Sequence, residues 1–240
     1  MSRAIVIGFR REPSSAIFRT RRSRRPVEQQ RALPLADAAV KRLLDIVLCF
    51  VLLVLAVPFM LLAMAATWLE TPGSPIFEQI RVGRDGRPFR LFKLRTMIRG
   101  NSAHTHQDYV TALIQGRADT RAGMFKMADD PRITKVGRLL RRFSIDELPQ
   151  LVNVLKGDMS VVGPRPPLPY EVALYTERDR LRLRVRPGLT GLWQVSGRAT
   201  TSFQQMVDLD IRYWQSWSLR LELSILLRTP RAVVTGVGAA

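Results

Sequence analysis

The chain has 240 residues, enough for one domain of ordinary size and an additional segment. Its 38 Lys and Arg residues outnumber its 20 Asp and Glu residues and give a formal net charge of +18, which indicates a polyanionic partner: nucleic acid, anionic lipid or a phosphorylated metabolite. Cys49 is the only cysteine, which excludes a disulfide framework and a metal site built from thiolates.

Residues 1–40 are predicted to be a basic, disordered arm. The apolar run AIVIGF is too short for the hydrophobic part of a signal peptide, and arginines follow it in place of a cleavage site. We expect the arm to be attracted to anionic lipid headgroups, because each basic residue near such a surface contributes about 1 kcal/mol of binding free energy.

Residues 41–70 are predicted to be a membrane helix. The stretch IVLCFVLLVLAVPFMLLAMAATWL (residues 46–69) contains no charged residue. At about 1.5 Å of rise per residue, a straight helix of this length could cross a hydrocarbon core of about 30 Å. A helix in the core of a soluble protein seldom lacks a polar face over such a length, so the membrane interpretation is favoured.

The membrane helix is expected to be re-entrant rather than spanning. Pro58 lies near its middle and, because it lacks an N–H group, breaks or kinks a helix. Basic residues stand on both sides of the apolar stretch, whereas a simple span keeps its excess of positive charge on the cytoplasmic side. A helix that is broken at Pro58, enters the bilayer and returns to the same face agrees with both observations.

Residues 71–232 are predicted to form a cytoplasmic catalytic domain, followed by a tail at residues 233–240. TPGSPIF predicts a turn, and the alternation of apolar and basic residues around Asp85-Gly86 predicts a β-hairpin. Apolar residues at helical spacing in the segment that begins with DPRITKVGR predict helical structure that ends at Gly157.

The rest of the domain contains three segments of distinct character. VVGPRPPLP predicts a rigid turn, YEVALYTERDRLRLRV a charged helix, and RPGLTGLWQVSGR a loop punctuated by glycine. The helical segment after it carries tryptophan and leucine beside basic residues, so parts of it are expected to lie as amphipathic helices at the membrane interface, where they could also serve a homodimer. The predicted fold class is α+β and mostly helical.

Asp146 and Glu147 are adjacent acids in a basic part of the chain, and two interpretations of them are open. In the first, Ser144 and Glu147 form a capping box at the start of a helix. Pro149 would then be the fifth helical residue, beyond the first turn in which proline is tolerated. In the second, the helix begins later and both carboxylates are available for chemistry.

That chemistry is phosphoryl transfer. A carboxylate can attack phosphorus and form an acyl phosphate, which divides one difficult transfer into two easier steps. Mg²⁺ is commonly held by one or two carboxylates together with substrate oxygens, and guanidinium groups bind phosphate through paired hydrogen bonds. Candidate phosphate ligands beside turns or helix termini are Arg141, Arg165 and Arg198. Arg186, which precedes a proline, could hold either a phosphate or a helix terminus.

Several long motifs resemble those of the bacterial sugar transferase family. The motifs KRLLDIVL, FKLRTM, DPRITKVGRLLRRFSIDELPQLVNVLKGDMSVVGPRP and RPGLTGLWQVSGR occur in the family's order, and the likeness extends over residues 41–230. These proteins are small, monotopic polyprenyl-phosphate phosphoglycosyl transferases that initiate exopolysaccharide and glycan assembly. The resemblance implies a compact, membrane-associated domain with helices at the interface.

The resemblance also implies a role for each matching residue. Asp146 would be the nucleophile, Glu147 would help to bind Mg²⁺, and Lys93 stands at the lysine of the catalytic FKxxTM motif. The family's phosphate-binding arginines match Arg141, Arg165 and Arg198. Family members break their membrane helix at a central proline, here Pro58, although Val57 stands where a serine is often found.

The implied reaction transfers a sugar-1-phosphate from a UDP-sugar to polyprenyl (undecaprenyl) phosphate, with release of UMP, through a sugar-phosphoryl group carried by Asp146. Galactose or glucose is the expected sugar, and the expected location is the bacterial inner membrane, with the catalytic domain on its cytoplasmic face. One alternative is direct transfer in a ternary complex. Another is a membrane-tethered nucleic-acid-binding protein, but the sequence carries no helix-turn-helix, zinc-finger or RNA-binding signature, so nucleic acid is not a predicted partner.

Overall fold

The computed structural model describes residues 34–98, 104–115, 117, 130–197 and 201–235. Most of the predicted arm lies outside these ranges, as does Arg198. The α-helices are α1 (Leu35–Glu70), α2 (His104–Ile114), α3 (Lys135–Arg142), α4 (Gln150–Lys156), α5 (Pro169–Ala173), α6 (Glu177–Arg180), α7 (Leu192–Gly197), α8 (Phe203–Gln215) and α9 (Leu219–Val234). The strands are β1 (Ile76–Val82), β2 (Pro88–Leu94), β3 (Ser160–Val162) and β4 (Gly188–Thr190), and 3-10 helices cover Arg84–Gly86, Ile145–Glu147 and Leu181–Arg184.

The described residues confirm a mostly helical fold with a small hairpin. Strands β1 and β2 pair in antiparallel fashion, with Ile76 opposite Leu94. The turn between them contains Asp85 and Gly86, whose φ angles are 57° and 78°. Asp and Gly tolerate this left-handed backbone better than other residues do, which is why the pair favours a tight turn.

The sequence does not predict the second sheet, in which β3 and β4 pair in parallel with Ser160 opposite Gly188. The two backbone segments approach so closely that a Cβ atom at position 188 would lie 2.1 Å from the Gly163 nitrogen. Only glycine fits at this position. The segment that begins at residue 186, predicted to be a loop, therefore contains a strand and the helix α7.

The segment 170–185 is not the single charged helix that its sequence predicts. It is divided into α5, α6 and a 3-10 helix. The interruption occurs at Thr176, whose side chain accepts a hydrogen bond from the Asp179 N–H while the Asp179 carboxylate binds the Thr176 N–H. Glu171 and Arg182 are buried, so these charges face the interior rather than solvent.

The main hydrophobic core lies between α1, α4, β3, α7, α8 and α9. Trp193 of α7, Met206 of α8 and Ile225 of α9 are buried in it. The burial of Trp193 favours a packing role over stacking on a sugar.

Helix α1 presents one narrow stripe to the rest of the protein. Its buried residues are Asp45, Cys49, Ala56, Ala63 and Thr67. They are four or seven positions apart and therefore lie on one side of the helix. Many of its other side chains are large, apolar and exposed, and among the described residues α1 is the one helix long and apolar enough to cross a membrane.

The predicted break at Pro58 is not confirmed, because α1 continues through Pro58 as one helix. A proline removes one backbone hydrogen bond. The loss of that one bond is accommodated inside the helix, which continues on both sides of Pro58.

Both ends of α1 are bound to the domain that follows it. Near the start, the Arg42 guanidinium donates hydrogen bonds to two carbonyl oxygens in the last turn of α4, at 2.7 and 2.9 Å. At the end, the Glu70 carboxylate accepts hydrogen bonds from two N–H groups in the first turn of α3, at 2.8 and 3.0 Å. With a rise of about 1.5 Å per residue, about 42 Å of helix lies between these two anchors, and both of them belong to the same domain.

Candidate active site

Asp146 and Glu147 lie in the 3-10 helix between α3 and α4. The capping-box interpretation is wrong, because the Ser144 side chain makes no capping hydrogen bond and α4 begins only after Pro149. The later start of α4 keeps Pro149 at the N-cap, where its missing N–H group disturbs no helical hydrogen bond. The two carboxylates therefore do not serve as caps of α4.

Ser144 directs the chain from α3 into the acid pair. Its backbone has φ 56° and ψ 23°, the left-handed region that non-glycine residues rarely adopt. Strained backbone of this kind persists only where the surrounding structure fixes it, and it clusters at functional sites. The reversal places Asp146 directly after the basic last turn of α3.

Strand β2 brings Lys93 to the acid pair. Its Nζ atom lies 3.0 Å from Oε1 of Glu147, and the two side chains are 25% and 34% exposed. Asp146 is more deeply buried, with 7% of its surface exposed. Residues 54 positions apart in the sequence thus share one site.

Asn153 supports this site and is not singled out by the sequence analysis. It is fully buried in α4, where its Nδ2 atom donates a hydrogen bond to the Arg90 carbonyl (2.7 Å) and its Oδ1 atom accepts one from the Phe92 N–H (3.1 Å). Both partners belong to the backbone of β2, so the amide fixes the strand directly before Lys93. The sequence does contain one indication of this role: Asn153 is the one amide side chain within the apolar run LVNVL, and a buried amide requires hydrogen-bond partners.

Arg141 lies in the last turn of α3, close to the acid pair. Burial lowers the pKa of its guanidinium below the ordinary value, while the negative charges of Asp146, Asp130 and Glu147 act in the opposite direction. Arg141 is therefore surrounded by carboxylates, and the structure brings this predicted phosphate ligand together with Asp146.

Asp130 adjoins the same cluster through the DPR segment. Arg132 binds its carboxylate with two nitrogens, Nε at 2.8 Å from Oδ1 and Nη2 at 2.5 Å from Oδ2. This hydrogen bonding from Arg132 holds the pKa of Asp130 below its ordinary value, although burial acts to raise it. The Arg132–Asp130 ion pair fixes the backbone that leads into α3.

Arg165 lies on the loop between β3 and α5. Its Nη1 atom is 3.4 and 3.3 Å from the two carboxylate oxygens of Glu171, a fully buried residue. Strand β1 fixes the loop, because the Val82 N–H and the Arg81 side chain donate hydrogen bonds to its carbonyl groups at 2.9 and 3.0 Å.

Arg81 is a second residue that the sequence analysis does not assign to the site. Burial, together with the positive charge of Arg165, lowers its pKa to about 10. The negative charges of Glu171 and Glu147 act in the opposite direction. Arg81 keeps its positive charge at neutral pH and adds it to the site near Arg165. No spacing signal distinguishes it from the other basic residues of the hairpin.

A buried ion pair supports the Arg165 backbone. The Arg182 Nη2 atom lies 2.6 Å from Oδ2 of Asp210, and neither side chain is more than 1% exposed. The same guanidinium donates hydrogen bonds to the Tyr175 hydroxyl (2.8 Å) and to the Arg165 carbonyl (3.3 Å). Its charge is thus compensated in the interior.

Arg186 lies near the hairpin turn and α1. Burial lowers the pKa of its guanidinium, and the charges that act on it are those of Arg84, Arg42 and Asp45. These charges belong to the hairpin turn and to α1, so Arg186 lies near those two elements. Arg198 lies outside the described residues.

Among the described residues there is no group of three or more His, Cys, Asp or Glu side chains that could hold a metal ion. Mg²⁺, however, is usually bound by one or two carboxylates together with substrate phosphates rather than by a cage of protein ligands. The adjacent carboxylates of Asp146 and Glu147 fit that pattern, and the partly exposed Glu147 is accessible to an ion that arrives with a substrate.

The sequence profile of a family described as bacterial sugar transferase matches residues 36–236. This range covers α1 from its second residue, the hairpin, the acid pair and the other residues of the candidate site.

Three similar proteins carry informative names. The exopolysaccharide production protein ExoY of Sinorhizobium fredii is 39% identical over 199 residues, which are 83% of this chain and 87% of ExoY. The UDP-glucose:undecaprenyl-phosphate glucose-1-phosphate transferase of Caulobacter vibrioides is 44% identical over 213 residues, which are 84% of this chain and 73% of that protein. The galactosyl transferase CpsE of Streptococcus agalactiae is 46% identical over 168 residues, which are 70% of this chain and 36% of CpsE, so the match spans about a third of that relative.

Proposed function

The chain belongs to the bacterial sugar transferase family, and on this premise we propose that it transfers a sugar-1-phosphate from a UDP-sugar to undecaprenyl phosphate and releases UMP. The observation that carries the proposal is the acid pair, with Lys93 bound to Glu147 and Arg141 close to Asp146. The name of the Caulobacter relative supports these substrates. The name of ExoY supports a place in exopolysaccharide production.

In the first step, an Asp146 carboxylate oxygen attacks the phosphorus that carries the sugar. A bond forms between that oxygen and phosphorus, and the bond from phosphorus to the oxygen shared with UMP breaks. The electron pair leaves with UMP, and a sugar-phosphoryl group remains on Asp146. Covalent catalysis of this kind replaces one difficult transfer by two easier ones.

In the second step, a phosphate oxygen of undecaprenyl phosphate attacks the same phosphorus. The bond between phosphorus and the Asp146 oxygen breaks, and the carboxylate is regenerated. The product is a sugar joined to undecaprenol through a diphosphate. Both steps use the same carboxylate, so donor and acceptor act in turn.

The cations of the site hold the phosphates in place. Lys93 and Arg141 lie beside the acid pair and provide positive charge where the phosphates bear negative charge. Arg165 extends this positive region from a loop that is fixed on both sides. Guanidinium groups suit this role, because their planar donors match phosphate oxygens in pairs.

Mg²⁺ is the proposed cofactor, with Glu147 as its principal protein ligand and Asp146 beside it. When bound, the ion would neutralise phosphate charge and make the phosphorus more open to attack. Removal of divalent ions is expected to abolish UMP release, with activity restored by Mg²⁺.

We propose that α1 enters the membrane from the cytoplasmic face and returns to it, with a backbone that stays helical through Pro58, where the missing N–H group permits a bend. The two ends are bound to the same domain, through Arg42 and through Glu70. A spanning helix would carry its ends to opposite faces, and one compact domain cannot meet both. The exposed apolar side chains of α1, such as Leu55 and Phe59 at 62% each, would contact lipid.

The covalent step is tested by exchange of labelled UMP into UDP-sugar in the absence of acceptor. Exchange is expected for the unmodified protein and should vanish in Asp146→Asn. The matched control is Asp85→Asn, in an exposed turn whose φ of 57° asparagine also tolerates, and it should exchange normally. Acceptor-dependent transfer without any exchange would instead establish direct transfer in a ternary complex. UDP-glucose and UDP-galactose are the first donors to compare.

A further inference from the structure

Helices α1 and α9 are joined near their N-terminal ends. The Lys41 Nζ atom lies 2.5 Å from Oε1 of Glu222, and both side chains are largely buried. Glu222 also accepts hydrogen bonds from the Tyr213 hydroxyl (2.8 Å) and the Trp217 indole N–H (2.9 Å). A buried carboxylate with three donors is a fixed point from which the two helices continue.

Beyond this junction the two helices enclose a cavity of about 650 Å³, which we name the interhelical cleft. Leu52 and Phe59 line it from α1, Leu226 and Val233 line it from α9, and Leu189 of β4 lies between them. The volume falls in the range of about 300–1,000 Å³ that is usual for ligand pockets.

The cleft leads to the turn at residues 144–147, which carries the acid pair. Among the described residues that line it, Glu147 is the only one with a charged side chain, and Ser144 and Ile145 line it as well. Lys93, Arg141 and Arg165 are not among the lining residues. The cleft therefore has apolar walls and ends at the turn that carries the acid pair, where Glu147 lines it and the adjacent Asp146 does not.

The shape and polarity of the cleft suit one kind of molecule, an apolar chain with a phosphate at its end. We propose that the interhelical cleft binds the isoprenoid chain of the acceptor and presents its phosphate to Asp146; this inference rests on the proposed function. The exposed apolar surface of α1 is continuous with the cleft at Leu55 and Phe59, each 62% exposed, so a chain can enter sideways from the bilayer. A water-soluble nucleotide sugar has no apolar part that would fill such a space.

The test narrows the cleft from either helix and compares acceptors of different chain length. Leu52→Trp and Val233→Trp place an indole in the cleft. Val51→Trp and Val234→Trp, at neighbouring exposed positions that do not line it, are the matched controls. Each protein is assayed in nanodiscs with undecaprenyl phosphate and with geranyl phosphate, whose chain is much shorter.

The two cleft variants are expected to raise the KM for undecaprenyl phosphate about tenfold. The introduced indole would displace about two methylene groups of the isoprenoid chain from the cleft, and the burial of two methylene groups corresponds to about a tenfold change in affinity. The KM for geranyl phosphate and the UMP exchange should stay at the level of the unmodified protein. The proposal is overturned if both acceptors are affected equally, or if the controls behave like the cleft variants. Absence of exchange and of transfer to either acceptor in the unmodified protein would instead refute the proposed function.

A photoreactive polyprenyl phosphate gives a second readout. It is expected to label peptides of α1 and α9, and excess undecaprenyl phosphate should suppress the labelling. The cleft is not the acceptor site if a photoreactive phosphatidylethanolamine labels the same peptides and undecaprenyl phosphate does not displace it, because ordinary membrane lipid would then be the occupant. Labelling of peptides from residues 1–33 alone would also contradict the proposal.

Discussion

Asn153→Ala is expected to lower both the stability of the protein and its activity. The substitution removes the hydrogen bonds to the Arg90 carbonyl and the Phe92 N–H, at 2.7 and 3.1 Å. An unsatisfied buried polar group costs about 1–3 kcal/mol, so the two together cost about 3 kcal/mol. Alanine regains up to about 0.7 kcal/mol through its higher helix propensity, which leaves a net loss of about 2 kcal/mol.

This loss is measurable as a change in the thermal unfolding midpoint. For a chain of this size, about 2 kcal/mol corresponds to a decrease of about 4–8 °C. Val152→Ala is the matched control, because Val152 is 40% exposed on the same helix and its truncation is expected to cost less than about 1 kcal/mol. Equal midpoints for the two variants would show that the amide does not fix β2.

The effect on activity is separated from the effect on stability by a double-mutant cycle with Lys93→Met. Loss of one group that stabilises transition-state charge costs about 10²-fold in kcat, and a displacement of about 1 Å can cost a similar factor. If Asn153 acts by holding Lys93 at Glu147, Asn153→Ala should reduce kcat strongly in the unmodified protein and hardly at all in Lys93→Met. The same fold-loss in both backgrounds, measured well below the unfolding midpoints, would refute this reasoning.

Three further predictions concern other parts of the protein. Asp210→Ala leaves the Arg182 charge buried without its partner and should cost about 3–5 kcal/mol of unfolding free energy. The double substitution Arg182→Met with Asp210→Leu should recover much of that loss. Equal unfolding free energies for the single and the double variant would contradict a compensated pair. The folded-state pKa of Asp130 is lowered, so its stabilising contribution is present above the unfolded pKa of about 4 and is lost as pH falls through the folded pKa. Arg132→Gln should therefore make the unfolding free energy less dependent on pH in this acidic range. In a Cys49→Ala background, cysteines introduced at Leu35 and at Ser74, both exposed, should react with an impermeant maleimide from the same side of the membrane; labelling from opposite sides would establish a spanning helix.

Local features of the fold were predictable where one or two residues dictate the backbone. Asp85-Gly86 fixes the hairpin turn, and Gly157, with φ 87°, ends α4 as predicted. Features that depend on residues far apart in sequence were not predictable. The parallel pairing of β3 with β4 needs the close approach of Gly163 and Gly188, which neither segment reveals alone.

The candidate site shows the same division. Its acids, Lys93 and two of its arginines were predicted because they lie in long motifs, and Arg141 and Lys93 do meet the acid pair. Asn153 and Arg81 were missed because their roles come from tertiary contacts with β2 and with the loop that carries Arg165. Arg186 was left open between a phosphate and a helix terminus, because its one cue is the proline that follows it, and a local cue carries no information about which charges surround a side chain.

In the proposed membrane placement of α1, its contacts link the position of the bilayer to the position of the acid pair. The turn that carries Asp146 and Glu147 lies between α3 and α4, and α1 binds both of those helices: Glu70 holds the first turn of α3, and Arg42 holds the last turn of α4. A shift of α1 relative to the bilayer must therefore move the acid pair with it, because α3 and α4 would otherwise lose their hydrogen bonds to α1. An acceptor whose phosphate is held at headgroup depth by its own chain requires a nucleophile at a constant depth. In the proposed membrane placement, the long apolar helix would supply that constraint in addition to anchoring the protein, and its attachment at both ends agrees with such a role.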